Sequence, residues 1–288
     1  MDQALTLRKM KGMEPQKDMA RESPLDQQTK KIRVIAITSG KGGVGKTNIA
    51  ANLAFSLVQM KKKTLILDAD MGLANIDVIL GLTPEFNLYH VLKGEKSFSE
   101  TVVSGPGGIM ILPSASGIVE MAELSAGQKM TLLDVLNDFQ KGIDYMFIDT
   151  AAGIAGNVMY FNTAAKEIIV VVSPEPTSLT DAYALIKVLH QRHAKRGFRL
   201  IVNMAKDQAE AKEVYQRLNT ATDRFLNLDL NYLGYVLNDE KVTESIRRQK
   251  AFTELYPDSP ASRCIREIAR KLAAENPEYE DDGNISFC

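Results

Sequence analysis

Cysteine is scarce in this chain: Cys264 and Cys288 are the only two among 288 residues. Neither has a second Cys or His at metal-ligand spacing, and two thiols cannot build a disulfide framework, so a reducing cytoplasm is the expected compartment. An excess of charge of one sign is also lacking, since 35 Lys and Arg meet 36 Asp and Glu. That balance excludes a surface wholly committed to nucleic acid or anionic lipid, while a local basic patch stays open. Long apolar runs are missing too. Stretches such as Ile168 to Val172 fall far short of the roughly 18 residues of a membrane span, and the N-terminus carries Asp2, Arg8 and Lys9 where a signal peptide is hydrophobic. What is present is ordinary globular material, 45% hydrophobic and 25% charged, enough for one large domain or two average ones.

Residues 1–30 are polar, with six Lys/Arg, five Asp/Glu, Pro15 and Pro24, and read as a mobile arm. From Ile32 the texture changes to short β-branched runs: 32–38, 64–67, 109–112, 145–148, 168–172, 200–202 and 232–237. Segments of helical period separate most of them. Continuously apolar strands alternating with amphipathic helices predict an α/β fold, a doubly wound, mostly parallel sheet with helices on both faces. The domain is expected over 31–274, followed by an acidic tail, 275–288, that opens with helix-breaking Asn276-Pro277.

The most informative stretch is Gly40-Lys41-Gly42-Gly43-Val44-Gly45-Lys46-Thr47, after the first strand and before a helix expected near Thr47. Its first six residues satisfy GxGxxG, and Asp68 falls where a ribose-binding acid would stand in a dinucleotide site. The complete pattern is GxxxxGK[ST], however, and Lys46 and Thr47 have defined parts only at a triphosphate with magnesium. Glycines let backbone N–H groups converge on phosphate oxygens at a helix N-terminus. Lys46 then neutralises β- and γ-oxygens, and the Thr47 hydroxyl is offered to Mg²⁺. The strands 64–67 and 145–148 run into Asp68-Ala69-Asp70 and Asp149, and ligands bind beyond the carboxyl ends of parallel strands. Asp149 fits the magnesium-water acceptor. Asp68 suits the magnesium shell or, nearly as well, a cap on the following turn.

The string Lys41-Gly42-Gly43-Val44-Gly45-Lys46-Thr47 resembles the deviant Walker A box of the MinD/ParA class of dimerising ATPases. The resemblance implies ATP as substrate, Mg²⁺ as cofactor, and a homodimer in which Lys41 reaches the partner's ATP. It implies that Asp70, in switch I, orients the attacking water, and that the N–H of Gly153, a switch II hinge, senses the γ-phosphate. Asn203 matches a residue reading the adenine edge, and Glu175 an acid near the nucleotide at the dimer interface. At the N-terminus, Asp2-Gln3-Ala4-Leu5-Thr6-Leu7-Arg8 resembles the activator helix of the FlhG (FleN) branch, MinD-like ATPases that control flagellar number and placement. Asp2, Gln3, Ala4, Leu7 and Arg8, on a helix of about residues 2–10 too short to be stable alone, would then stimulate an FlhF-type GTPase related to the signal-recognition particle GTPases. The second implied partner is an enhancer-binding activator of flagellar genes, which the chain restrains. The implied place is the cytoplasm, at the pole or against the inner membrane.

The tail departs from that pattern. MinD-like proteins usually end in a basic amphipathic helix that binds membrane, whereas the residues after Ala274 include five acids and no Lys or Arg. Either an anchor begins at Ile285 and is cut short, or membrane contact is weak or made elsewhere. Two other classes compete. A ParA-type partition protein would bind DNA through clusters such as 61–63, 192–196 and 247–250, each of which also reads as a solvated face; the expectation is no direct nucleic acid contact. An iron–sulfur carrier on the same P-loop needs paired cysteines that the chain lacks.

Overall fold

The computed structural model describes residues 32–71, 75–115, 118–139 and 142–275. The arm residues Asp2, Gln3, Ala4, Leu7 and Arg8, and the tail beyond Glu275, lie outside them. The strands are β1 (Arg33–Ser39), β2 (Thr64–Ala69), β3 (Val103–Ser104), β4 (Met110–Leu112), β5 (Tyr145–Ala152), β6 (Glu167–Val172), β7 (Arg199–Ala205) and β8 (Asn231–Leu237). The helices are α1 (Lys46–Gln59), α2 (Ile76–Leu80), α3 (Leu88–Leu92), α4 (Phe98–Thr101), α5 (Val119–Ala122) and α6 (Ala126–Phe139), followed by α7 (Gly156–Ala164), α8 (Pro176–His193), α9 (Gln208–Leu226), α10 (Glu240–Arg247), α11 (Phe252–Leu255) and α12 (Pro260–Ala274).

The strands form one sheet in the order β3-β4-β2-β5-β1-β6-β7-β8, and only the edge pair β3–β4 is antiparallel. Side chains alternate across it. Ile35, Ile37, Ile66, Ile169 and Val171 pack with α1 and α12 on one face, while Val34, Ala36, Leu65 and Leu67 face the side carrying α3, α6 and α7. Ile168, Val170 and Val172 extend that second face beneath α8 and α9. Burial on both faces is why these strands read as unbroken apolar runs. The doubly wound α/β expectation therefore holds. β1 sits between β5 and β6, and at this reversal of strand order a crevice opens at the carboxyl ends.

Two boundaries differ from expectation. β2 and β5 continue past their apolar runs, so Asp68 and Asp149 lie within strands, directly paired across the ladder, instead of in the turns after them. The two-residue strand β3 has no apolar run to announce it.

At the amino ends of the strands, opposite the crevice, the chain closes on a buried charge network. Nε and Nη2 of Arg33 donate to the two oxygens of Glu167 at 2.8 and 2.7 Å, and Arg199 bonds Glu167 at 3.0 Å and Glu275 at 2.6 Å. Arg33 also donates to the Leu272 carbonyl and stands over the Tyr145 ring, so the starts of β1, β5, β6 and β7 are tied to the end of α12.

Candidate functional site

Between β1 and α1 the loop takes the left-handed turns that its glycines permit, φ +80° at Gly43 and +88° at Gly45, the residue that precedes the helix. α1 begins at Lys46, and its first-turn N–H groups receive no side-chain cap, which leaves them directed at the crevice. Ile49, Leu53 and Leu57 anchor the helix in the core. A side chain on Gly40 would collide with the backbone of Asp181 and Ala182 in α8, so that glycine is required by packing as well as by the loop. Gly42 and Gly43 stand in open space. Within the loop, Ser39 Oγ donates to the Lys41 carbonyl at 2.7 Å.

The charged groups converge here. Lys46 is 8% exposed; burial lowers its pKa, and the charges of Asp149 and Asp70 oppose that shift. Asp149 is fully buried, and desolvation raises its carboxyl to about 7 against the hydrogen bond from Thr47 and the charge of Lys46. One of its oxygens, Oδ1, has no partner. A buried carboxylate with a free oxygen beside a threonine hydroxyl and a lysine is an incomplete site that a cation completes, and magnesium, which keeps phosphate and water ligands, needs no more from protein than this. Thr47 and Asp149 fit such an ion.

Asp68 does not. Its Oδ1 accepts from the N–H of Asp70 at 3.1 Å, and its Oδ2 from Asn75 and Ile76 at 3.2 and 3.3 Å. These bonds give it the geometry of a cap on α2, whose N-cap residue Asn75 makes no side-chain cap bond. Burial, and then the charge of Asp149, raise its pKa well above the ordinary range. Asp70, held by the first of these bonds, is half-exposed at the crevice.

Lys41 and Glu175 meet. Nζ of Lys41 is paired with the Glu175 carboxylate and donates to Thr177 Oγ1 at 3.1 Å, both at the start of α8. Glu175 occupies the N-cap position without capping, because its carboxylate turns to the lysine. Gly153 has φ +91°, a conformation suited to a hinge, and its N–H donates to the Ser39 carbonyl at 2.9 Å. Asn203 lies inside β7, and its amide donates to the Val44 carbonyl at 2.8 Å, supporting the loop from below. The positive φ falls on the next residue, Met204, at +59°. Thr177 and the backbone of Asp181 were missed by sequence reasoning; Pro176 marks a helix start, but nothing local indicates that it abuts the loop.

Comparison with known proteins fits this arrangement. A family model described as the NUBPL iron-transfer P-loop NTPase of the ParA group matches residues 30–273. The antiactivator FleN of Pseudomonas aeruginosa is 44% identical over 256 residues, 89% of this chain and 91% of that protein. The chain belongs to the MinD/ParA family of P-loop NTPases. Within the family it falls in the FleN (FlhG) branch and is an ATP hydrolase. The flagellum site-determining protein YlxH of Helicobacter pylori is 36% identical, over 84% of this chain and 82% of its own length. Among solved structures, the septum site-determining protein MinD with Mg-ADP from Pyrococcus horikoshii superposes with a TM-score of 0.71 at 25% identity, covering 84% of this chain and 96% of that one. Iron transfer stays with the protein for which the family model is named. Cys264 is buried, and no group of three or more candidate ligands is gathered among the described residues.

Proposed function

We propose that this MinD/ParA ATPase is a Mg·ATP-driven dimerising switch that sets flagellar number and placement. The observation that carries the reading is the pairing of Lys41 with Glu175 and Thr177 beside a loop otherwise built for phosphate. A lysine that serves its own nucleotide is preplaced as Lys46 is. Lys41, 39% exposed in its side chain, is instead parked on the head of α8, a contact to be surrendered when a partner's triphosphate arrives. Dimerisation and release of α8 then become one event.

The remaining roles follow the positions. The N–H groups from Gly40 to Gly45 and the Lys46 ammonium bind the phosphates. Thr47 and Asp149 would hold Mg²⁺, which draws charge from the β- and γ-oxygens when bound. Asp70, whose charge reaches Lys46 and whose side chain is half-exposed, orients the attacking water as the catalytic residue. Gly153 senses the γ-phosphate by giving up its bond to Ser39. One N–H of Asn203 is committed to Val44, so its contribution to the adenine edge falls to its other polar positions. The name antiactivator borne by the FleN relative supports restraint of a flagellar transcriptional activator, and the sequence at Asp2 to Arg8 supports stimulation of an FlhF-type GTPase. No helix among the described residues is long and apolar enough to cross a membrane, and the proposed place is the cytoplasm, polar or peripheral.

The test is sedimentation of Asp70→Ala and Lys46→Ala with and without Mg·ATP. Asp70→Ala binds ATP, accumulates as dimer and loses about 100-fold or more of turnover; Lys46→Ala loses nucleotide affinity and stays monomeric. Hydrolysis by Asp70→Ala at the parental rate removes Asp70 from its role, and a mass indifferent to Mg·ATP refutes the switch.

A further inference from the structure

On the face of the sheet that carries α1, a cavity of about 480 Å³ opens between the C-terminal half of α1, α11 and α12, away from the phosphate loop. Its lining includes Phe55 from α1 and Met60 just after it, Glu254 from α11, and Arg266 and Arg270 from α12. Volumes of this order suit small-molecule ligands. The two arginines stand four residues apart, on one face of the helix, where like charges repel unless an anion lies between them. Arg270 has no hydrogen bond or ion pair among the described residues, and Arg266 bonds only the Pro257 carbonyl. In the wall, the Ser56 hydroxyl is buried without a partner.

We propose that this cavity is a second ligand site, taking a nucleotide-sized phosphate ester. Two guanidinium groups supply the planar forks that match phosphate oxygens. Phe55 and Met60 offer an apolar surface for the body of the ligand, and the Glu254 carboxylate accepts from an amino or hydroxyl group at its far end. The cavity is coupled to the catalytic helix: Asn52 of α1 accepts from both N–H and Oγ1 of Thr253 in α11, at 2.9 and 2.8 Å. A ligand here therefore grips, from its far end, the helix whose first residues are Lys46 and Thr47.

The experiment is calorimetric titration of the full chain, saturated with Mg·ADP so that the phosphate loop is occupied, with AMP, GMP and inorganic phosphate. At least one nucleotide binds about tenfold or more tighter than phosphate, and Arg270→Ala and Arg266→Ala each weaken it about tenfold while ADP affinity, measured separately, is retained. Arg270→Gln, at an exposed position, keeps the test sound should alanine disturb α12. Absence of heat with both nucleotides, equal affinity for nucleotide and phosphate, or binding that survives Arg266→Ala/Arg270→Ala in one chain overturns the proposal. None of these outcomes bears on the dimerisation test.

Discussion

Asp149 sits inside β5, buried, with one oxygen bonded by Thr47 and the other unbonded. Its folded pKa, about 7, stands above the ordinary aspartate value, so between about pH 4 and 7 the native protein binds a proton that the unfolded chain has lost. The sign follows. The stability due to this group is full below the unfolded pKa and is lost as pH rises through 7, and Asp68, raised by the same burial, acts in the same direction. Without nucleotide or magnesium, the melting temperature should be higher at about pH 5.5 than at about pH 8, and Asp149→Asn should flatten much of that slope. An unchanged slope in the variant means that Asp149 is ionised throughout. At this scale the sequence was legible where chemistry is local: Lys46, Thr47 and Asp149 are named by their motif and strand. Asp68 was left with two parts because spacing does not reveal which N–H groups a carboxylate meets. The pairing of Lys41 with Glu175 spans 134 residues, and no local pattern encodes it.

The elements most readable in the sequence are the buried central strands, since burial on both faces leaves an unbroken apolar run. β3, two residues at an edge, leaves no such trace, and the charged ends of β1, β6 and β7 read only as flanks. Those ends form the network of Arg33, Glu167, Arg199 and Glu275 that fastens α12 to the sheet. Glu167 is its centre, with a side chain 10% exposed and both arginines on its oxygens. Glu167→Gln keeps the shape and removes the charge, leaving two guanidinium groups buried with less compensation. The expected loss is about 3 kcal/mol of unfolding free energy, by denaturant titration at unchanged m-value. ATP affinity should hold, because the network lies at the amino ends of the strands and the phosphate loop at their carboxyl ends. A loss under 1 kcal/mol would instead mean that Glu275 alone answers both arginines.

Across the whole molecule, every described strand lies between Arg33 and Leu237, and the helix that closes the first face ends at Ala274. The crevice and both faces of the core described above are built from residues 32–275. The resemblance carried by Asp2-Gln3-Ala4-Leu5-Thr6-Leu7-Arg8 underlies the proposal that those residues have a separate task, stimulation of a partner GTPase. Output to the GTPase and turnover of ATP should therefore separate under deletion. Removing residues 2–8 is expected to leave ATP hydrolysis and Mg·ATP-dependent dimerisation at parental levels, while GTP hydrolysis by an FlhF-type partner falls to its unstimulated rate. A peptide of residues 1–20 supplied in trans should restore stimulation, because the arm needs only its own sequence once the partner orders it. Stimulation that persists in the deleted protein would place the activating surface on the folded domain, and the head of α8, released when Lys41 leaves Glu175, would be the first surface to mutate.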